Sequence, residues 1–199
     1  SAYRSALIAT LLDVFSFPLD TATAIAQRIV GRIIFLDFCE DRGLIRGRSL
    51  HTAVNTPPPY SRIKNPRWKR ILDLFYGIDK GHPDLDLEQG YNGGLFNSDD
   101  DIGKAIDLVE LPDEPWTTAF AHFGTYDFKD EVNVDVLGHI FERSITELEK
   151  LRVTGLFSKN DLPAAAPKAK MQKSAERKRF GIYYTPPEFT RFIVKETVE

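Results

Sequence analysis

The chain has 199 residues, 42% apolar and 28% charged, which is the balance of a soluble globular protein with enough length to bury a core. A net charge of −3 means that the chain as a whole does not attract nucleic acid, and a single cysteine excludes an internal disulfide. No apolar run approaches the length needed to cross a bilayer and no signal-peptide pattern opens at Ser1, so a cytoplasmic location with no membrane partner is expected.

Leu7, Ile8, Leu11, Leu12 and Phe15 recur at helical spacing and stop before Pro18. A longer second helix is expected from a cap at Asp20 or Thr21, with Ile25, Ile29, Ile33 and Leu36 as one stripe and Val30, Ile34 and Phe38 widening it. Gly43 is its natural stop, and Cys39 within it reads as a small buried hydrophobe rather than a nucleophile. Residues 46 to 64, with Arg46-Gly47-Arg48 and Thr56-Pro57-Pro58-Pro59-Tyr60, read as a loop. Asn65-Pro66 opens the next helix, with Trp68, Ile71, Leu72 and Phe75 on one face.

From Gly77 to Asp101 the sequence is rich in Gly and Asp and reads as an extended surface loop. Within it, Gly90-Tyr91-Asn92-Gly93-Gly94 lacks the flanking strand and helix of a phosphate-binding loop. It is expected to be a tight turn that docks Leu95 and Phe96 back onto the helices. Short helices are expected at 100 to 109 and, after Pro115, at 116 to 123. The best-defined helix runs from Val134 to Arg152, capped by Asn133 or Asp135, with Leu137, Ile140, Phe141, Ile145 and Leu148 buried. Strand signals are scarce and no internal repeat is present, so the fold class is mostly α.

His51, His82, His122 and His139 show no metal-ligand spacing with one another or with Cys39, so no metal site is assigned. Lys168, Lys170, Lys173, Arg177, Lys178 and Arg179 cluster after Pro163-Ala164-Ala165-Ala166-Pro167. Such a cluster either neutralises DNA phosphates or forms a solvated tether.

The closing residues are the most specific. A basic run leads into Phe180-Gly181-Ile182-Tyr183-Tyr184-Thr185-Pro186-Pro187-Glu188, followed by Phe189, Phe192 and Ile193 at helical spacing. Pro187 suits a first helical turn, which Thr185 can cap, and the free N–H groups of such a turn favour a carboxylate or phosphate. This string resembles the opening motif (motif X) of the methyltransferases that modify adenine N6 in DNA, in the version found in type IIG restriction–modification enzymes. Three upstream segments resemble the same enzymes in the same order: Arg32 to Ile45, Tyr91-Asn92-Gly93-Gly94-Leu95-Phe96, and Asp135 to Glu142.

The resemblance implies that Tyr184, Thr185 and Pro186 lie beside the methionine end of S-adenosylmethionine, and that the parent protein acts on double-stranded DNA in phage defence. It divides the chain into a helical, bundle-like connector over 1–158, a basic Pro/Ala linker over 159–179, and over 180–199 the first helix of a truncated α/β methyltransferase domain. Mg2+ is implied only where the parent carries a nuclease. Thr56-Pro57-Pro58-Pro59-Tyr60 is not the catalytic Asn-Pro-Pro-Tyr of that family, because Pro57 offers no side-chain acceptor and the family places its motif downstream. Pro83-Asp84 with Asp127-Phe128-Lys129 gives the letters of a nuclease site without a credible strand to carry them. The 199 residues hold neither the Gly-rich cofactor loop nor the catalytic segment, so this chain alone is expected to be inactive, with no catalytic residue of its own. A stand-alone helical protein-interaction or DNA-binding module is the competing reading.

Overall fold

In the computed structural model, residues 2–45, 49–55, 61–91, 93–123, 138 and 187–198 are described. The chain divides into two units, Ser1–Glu131 and Val132–Glu199. Every regular element among the described residues is a helix, as the mostly-α expectation has it; the sole extended pairing there is an isolated bridge between His82 and Leu87.

The first unit is organised around its longest helix, α2 (Leu19–Asp41), whose Ile25, Ile29, Ile33 and Leu36 are all fully buried. Side chains of that kind contribute about 1.5–3 kcal/mol each on burial, which makes this stripe the centre of the fold. Its first backbone bond runs from the Ala22 N–H to the Pro18 carbonyl, so Pro18 rather than Asp20 or Thr21 is the capping residue. Asp20 instead lies in the first turn, where a carboxylate suits the helix dipole. The C-terminus closes as the spacing predicts: Gly43 takes φ 67°, its N–H meets the Glu40 carbonyl, and the Leu44 N–H meets that of Cys39.

Helix α1 (Ala2–Asp13) packs on α2 through Leu7, Ile8 and Leu11. The stretch 46–64, expected to be a loop, contains a helix, α3 (Ser49–Asn55). Leu50, Ala53 and Val54 are buried as it packs on α4 (Pro66–Lys80), and Glu40 of α2 accepts the Leu50 N–H at its start. Three apolar positions in seven residues are too few to announce a helix; tertiary packing makes it. Helix α4 begins at Asn65-Pro66 as expected, buries Trp68, Ile71, Leu72 and Phe75, and runs past Gly77 to Lys80.

After a 3-10 turn at Pro83–Leu85 come α5 (Asp101–Leu108) and α6 (Asp113–Phe123). The expected starts at 100 and 116 are near these bounds, although α6 opens three residues early across a kink at Glu114. Gly138 apart, the helix expected over 134–152 lies outside the described residues, as do the boundaries expected at 158 and 179. In the second unit the described element is α7 (Pro187–Val198), which starts at the expected proline.

Candidate functional site

Three helices of the first unit converge on residues 90–100. Arg32 enters from α2, one turn after Arg28, and is 2% exposed. Its Nε donates to the Leu95 carbonyl at 2.8 Å and its Nη2 to the Asn97 carbonyl at 3.2 Å. The guanidinium also stands 5.0 Å from the Phe75 ring centroid and 5.6 Å from that of Phe96, so ring faces replace part of its lost hydration. Burial chiefly, with Arg28 assisting, lowers the Arg32 pKa to about 10, which still leaves it cationic at neutral pH.

Phe96 is itself buried, edge-on to Phe35 at 5.8 Å and to Phe75 at 6.0 Å. The glycine-rich turn therefore docks Phe96 onto the helices as its sequence suggests. Gly90 is required for a close approach: a Cβ there would lie 1.6 Å from the Asp79 carbonyl oxygen.

The other two attachments are acidic. At the end of α4, Asp79 accepts the Ser98 N–H at 3.1 Å and its hydroxyl at 2.7 Å, and pairs with Lys80 at 3.0 Å. Burial pushes the Asp79 carboxyl up, but the bonds from Ser98 and Lys80 outweigh it and hold it below its ordinary value. Asp100 pairs with Arg28 of α2 at 2.5 Å while capping α5 through the Gly103 N–H at 2.7 Å. The Arg28 bond chiefly, with Gly103 assisting against burial, keeps Asp100 below the usual carboxylate range.

Between these anchors is a cleft of about 340 Å³ lined by Asp79, Lys80, Asn97, Asp99 and the loop glycines. Lys80 faces it but is bound by Asp79 and by Asp99 at 2.6 Å, and these two acids hold its pKa above the ordinary lysine value. The cleft has neither a poised base nor a free nucleophile; chemically it is a clasp that fixes the loop to α2, α4 and α5. Among the described residues no three His, Cys, Asp or Glu side chains converge as a metal site, and no helix is long and apolar enough to cross a membrane.

None of these residues is a site residue expected from the sequence. Tyr184, Thr185 and Pro186, and the basic residues from Lys168 to Arg179, fall outside the described residues. The helix that follows them, α7, has Phe189, Phe192 and Ile193 more than half exposed. Asp84 stands on the 3-10 turn, fully in solvent rather than on a strand, and Asp127 and Lys129 are outside the described residues. Arg32 has no role in the sequence reading, though a cation between Gly31 and Ile33, inside the apolar run of α2, is a signal that could have marked it.

No protein-family model matches the chain, and no solved structure matches it significantly. Over 87% of its length the chain is 24% identical to a protein of Methanocaldococcus jannaschii that is provisionally named a type II restriction enzyme and methyltransferase. The aligned region is 14% of that protein, so the chain spans about a seventh of its relative. This similarity supports a restriction–modification relationship.

Proposed function

We propose that the chain is the helical connector of a type IIG-like restriction–modification protein, joining a nuclease to an S-adenosylmethionine-dependent N6-adenine DNA methyltransferase. The observation that carries this reading is the alignment over most of the chain with a protein whose name combines restriction with methyl transfer. The internally satisfied clasp around Arg32 supports it, because a connector needs rigidity rather than a reactive centre. In this reading residues 1–158 are the spacer, 159–179 the linker, and 180–199 the leading edge of the methyltransferase. Tyr184, Thr185 and Pro186 stand beside the cofactor, and the cluster from Lys168 to Arg179 meets DNA phosphates as the chain enters the catalytic domain. The parent's target is double-stranded DNA, with the modified adenine rotated out of the duplex, and Mg2+ serves its nuclease.

The test uses the full-length protein with labelled S-adenosylmethionine and duplex DNA, followed by nucleoside analysis. Label in N6-methyladenine is expected; label in a cytosine product, or none, overturns the reading. Lengthening the 159–179 linker by about ten Gly/Ser residues is expected to scatter the cut positions while the same adenine is methylated. Unmoved cuts would remove the connector role.

A further inference from the structure

Charge is distributed very unevenly along this chain. From Arg42 to Leu72 there are eight Lys and Arg residues and no Asp or Glu, which leaves 18 of the 26 cations to balance all 29 acids elsewhere. The described part of this stretch contains α3 and the start of α4, packed against each other.

Arg62 and Lys64 are exposed immediately ahead of α4 and form no ion pair among the described residues. Arg67 and Lys69 follow in its first turns, facing the partly exposed acids Glu114 at 3.1 Å and Glu110 at 3.5 Å. Ion pairs so open to water are weak and exchange readily for a phosphate, to which arginine binds bidentately. A third acid nearby, Asp113, is already engaged by the backbone N–H groups of Arg67 and Trp68, and Asp107 also acts on Lys69.

We propose that segment 61–64 and the start of α4 form a surface that grips the sugar–phosphate backbone of double-stranded DNA without reading its sequence. This rests on the restriction–modification reading for the choice of polyanion. The surface itself favours a duplex over a single strand. Trp68 is fully buried with its indole N–H bonded to the Val109 carbonyl, so no exposed Phe, Tyr or Trp among the described residues of this stretch can stack on an unpaired base. The surface is separate in sequence from the cluster at 168–179 and would give the spacer its own hold on DNA.

The experiment is fluorescence anisotropy of the full 199-residue chain with a labelled duplex of arbitrary sequence over a series of salt concentrations. The double variant Arg62→Gln/Lys64→Gln is expected to bind more weakly. Its slope of log affinity against log salt should be shallower by about 1.8, or about 0.9 for each lost phosphate contact. Both side chains are solvent-exposed, so the variant should keep the parent's circular dichroism. Lys104→Gln, an exposed charge on α5, is the matched control and should leave the slope unchanged. No binding at low salt, an unaltered slope in the double variant, an equal effect of Lys104→Gln, or equal competition by polyglutamate or single-stranded DNA would each overturn the proposal. Methylation by the full-length protein is scored separately. Retained methylation with an unaltered slope removes this surface alone, whereas a shallower slope without methylation removes the methyltransferase reading alone.

Discussion

Asp113 caps a helix to which it does not belong: its Oδ1 accepts the Trp68 N–H at 3.0 Å across 45 residues of sequence, while Oδ2 takes the Arg67 N–H at 3.3 Å. Asn65, the residue expected to cap α4, sits at φ 52° and makes no side-chain bond to the helix. Asp113 thus does for α4 what a local cap would do, and Trp68 answers by donating its indole N–H to Val109 near the same turn. The pair joins α4 to α6. Asp113→Ala should therefore cost about 1–2 kcal/mol in urea unfolding, and Asp113→Asn less, because the amide oxygen can still accept one of the two N–H groups. Equal losses in Asn65→Ala and Asp113→Ala would show the cap to be local after all.

Removing the Arg32 guanidinium leaves the Leu95 and Asn97 carbonyls short of a buried donor and takes a cation from between two rings. Arg32→Met keeps much of the volume and should cost about 2–4 kcal/mol, the sum of two orphaned acceptors and the lost ring contact. Arg32→Lys should recover only part of this, since one ammonium cannot reproduce the two-pronged geometry. Urea midpoints for the three proteins decide it; a loss under about 0.5 kcal/mol for Arg32→Met, the range of an ordinary surface change, would deny the residue its anchoring role.

The difference between what the sequence discloses and what it hides follows interaction range. The α2 stripe from Ile25 to Leu36, the Gly43 stop and the Asn65-Pro66 start depend on residues within a turn or two of each other, so periodicity and capping chemistry reveal them. Helix α3 is held by α4 and by Glu40, partners that its own seven residues do not name. Asp113 and Arg32 act over 45 and 63 residues, and no local pattern carries such information. The mostly-α class was accordingly legible, as was the docking of Phe96, whereas the side-chain contacts that fix the loop were not.

Gly90 and Gly94 stand in the same loop under opposite constraints. At Gly90 any Cβ would overlap the Asp79 carbonyl at the end of α4, whereas a Cβ at Gly94 would meet nothing within 4 Å. Gly90→Ala should therefore force the loop off α4 and cost about 1–3 kcal/mol or more, and Gly94→Ala should stay within about 0.5 kcal/mol. Comparable effects of the two variants would contradict the close approach.

Cys39 reports on the integrity of the α2 core. It is buried, and desolvation, with Glu40 adding to it, pushes its thiol up to about 11. The thiolate is the reactive form, so labelling by a disulfide reagent at pH 8 should be on the order of 100-fold slower in the folded chain than in urea. Labelling at the denatured rate under native conditions would mean that α2 opens readily.

Acid should loosen the loop through Asp79 and Asp100. Both carboxyls lie below their ordinary value in the folded chain, where Ser98 and Lys80 hold the first against its burial and Arg28 holds the second. A carboxyl whose folded pKa is depressed binds its proton less readily folded than unfolded. The two groups therefore stabilise the fold fully above the unfolded value of about 3.9. That contribution declines as pH falls below it and is gone once the folded values are passed. In urea titrations from about pH 6 down to about pH 2, the gap in midpoint between the parent chain and Asp79→Asn/Asp100→Asn should be widest at the upper end and close as the carboxylates protonate. A gap that stays constant would mean that these bonds hold the loop equally well without their charge.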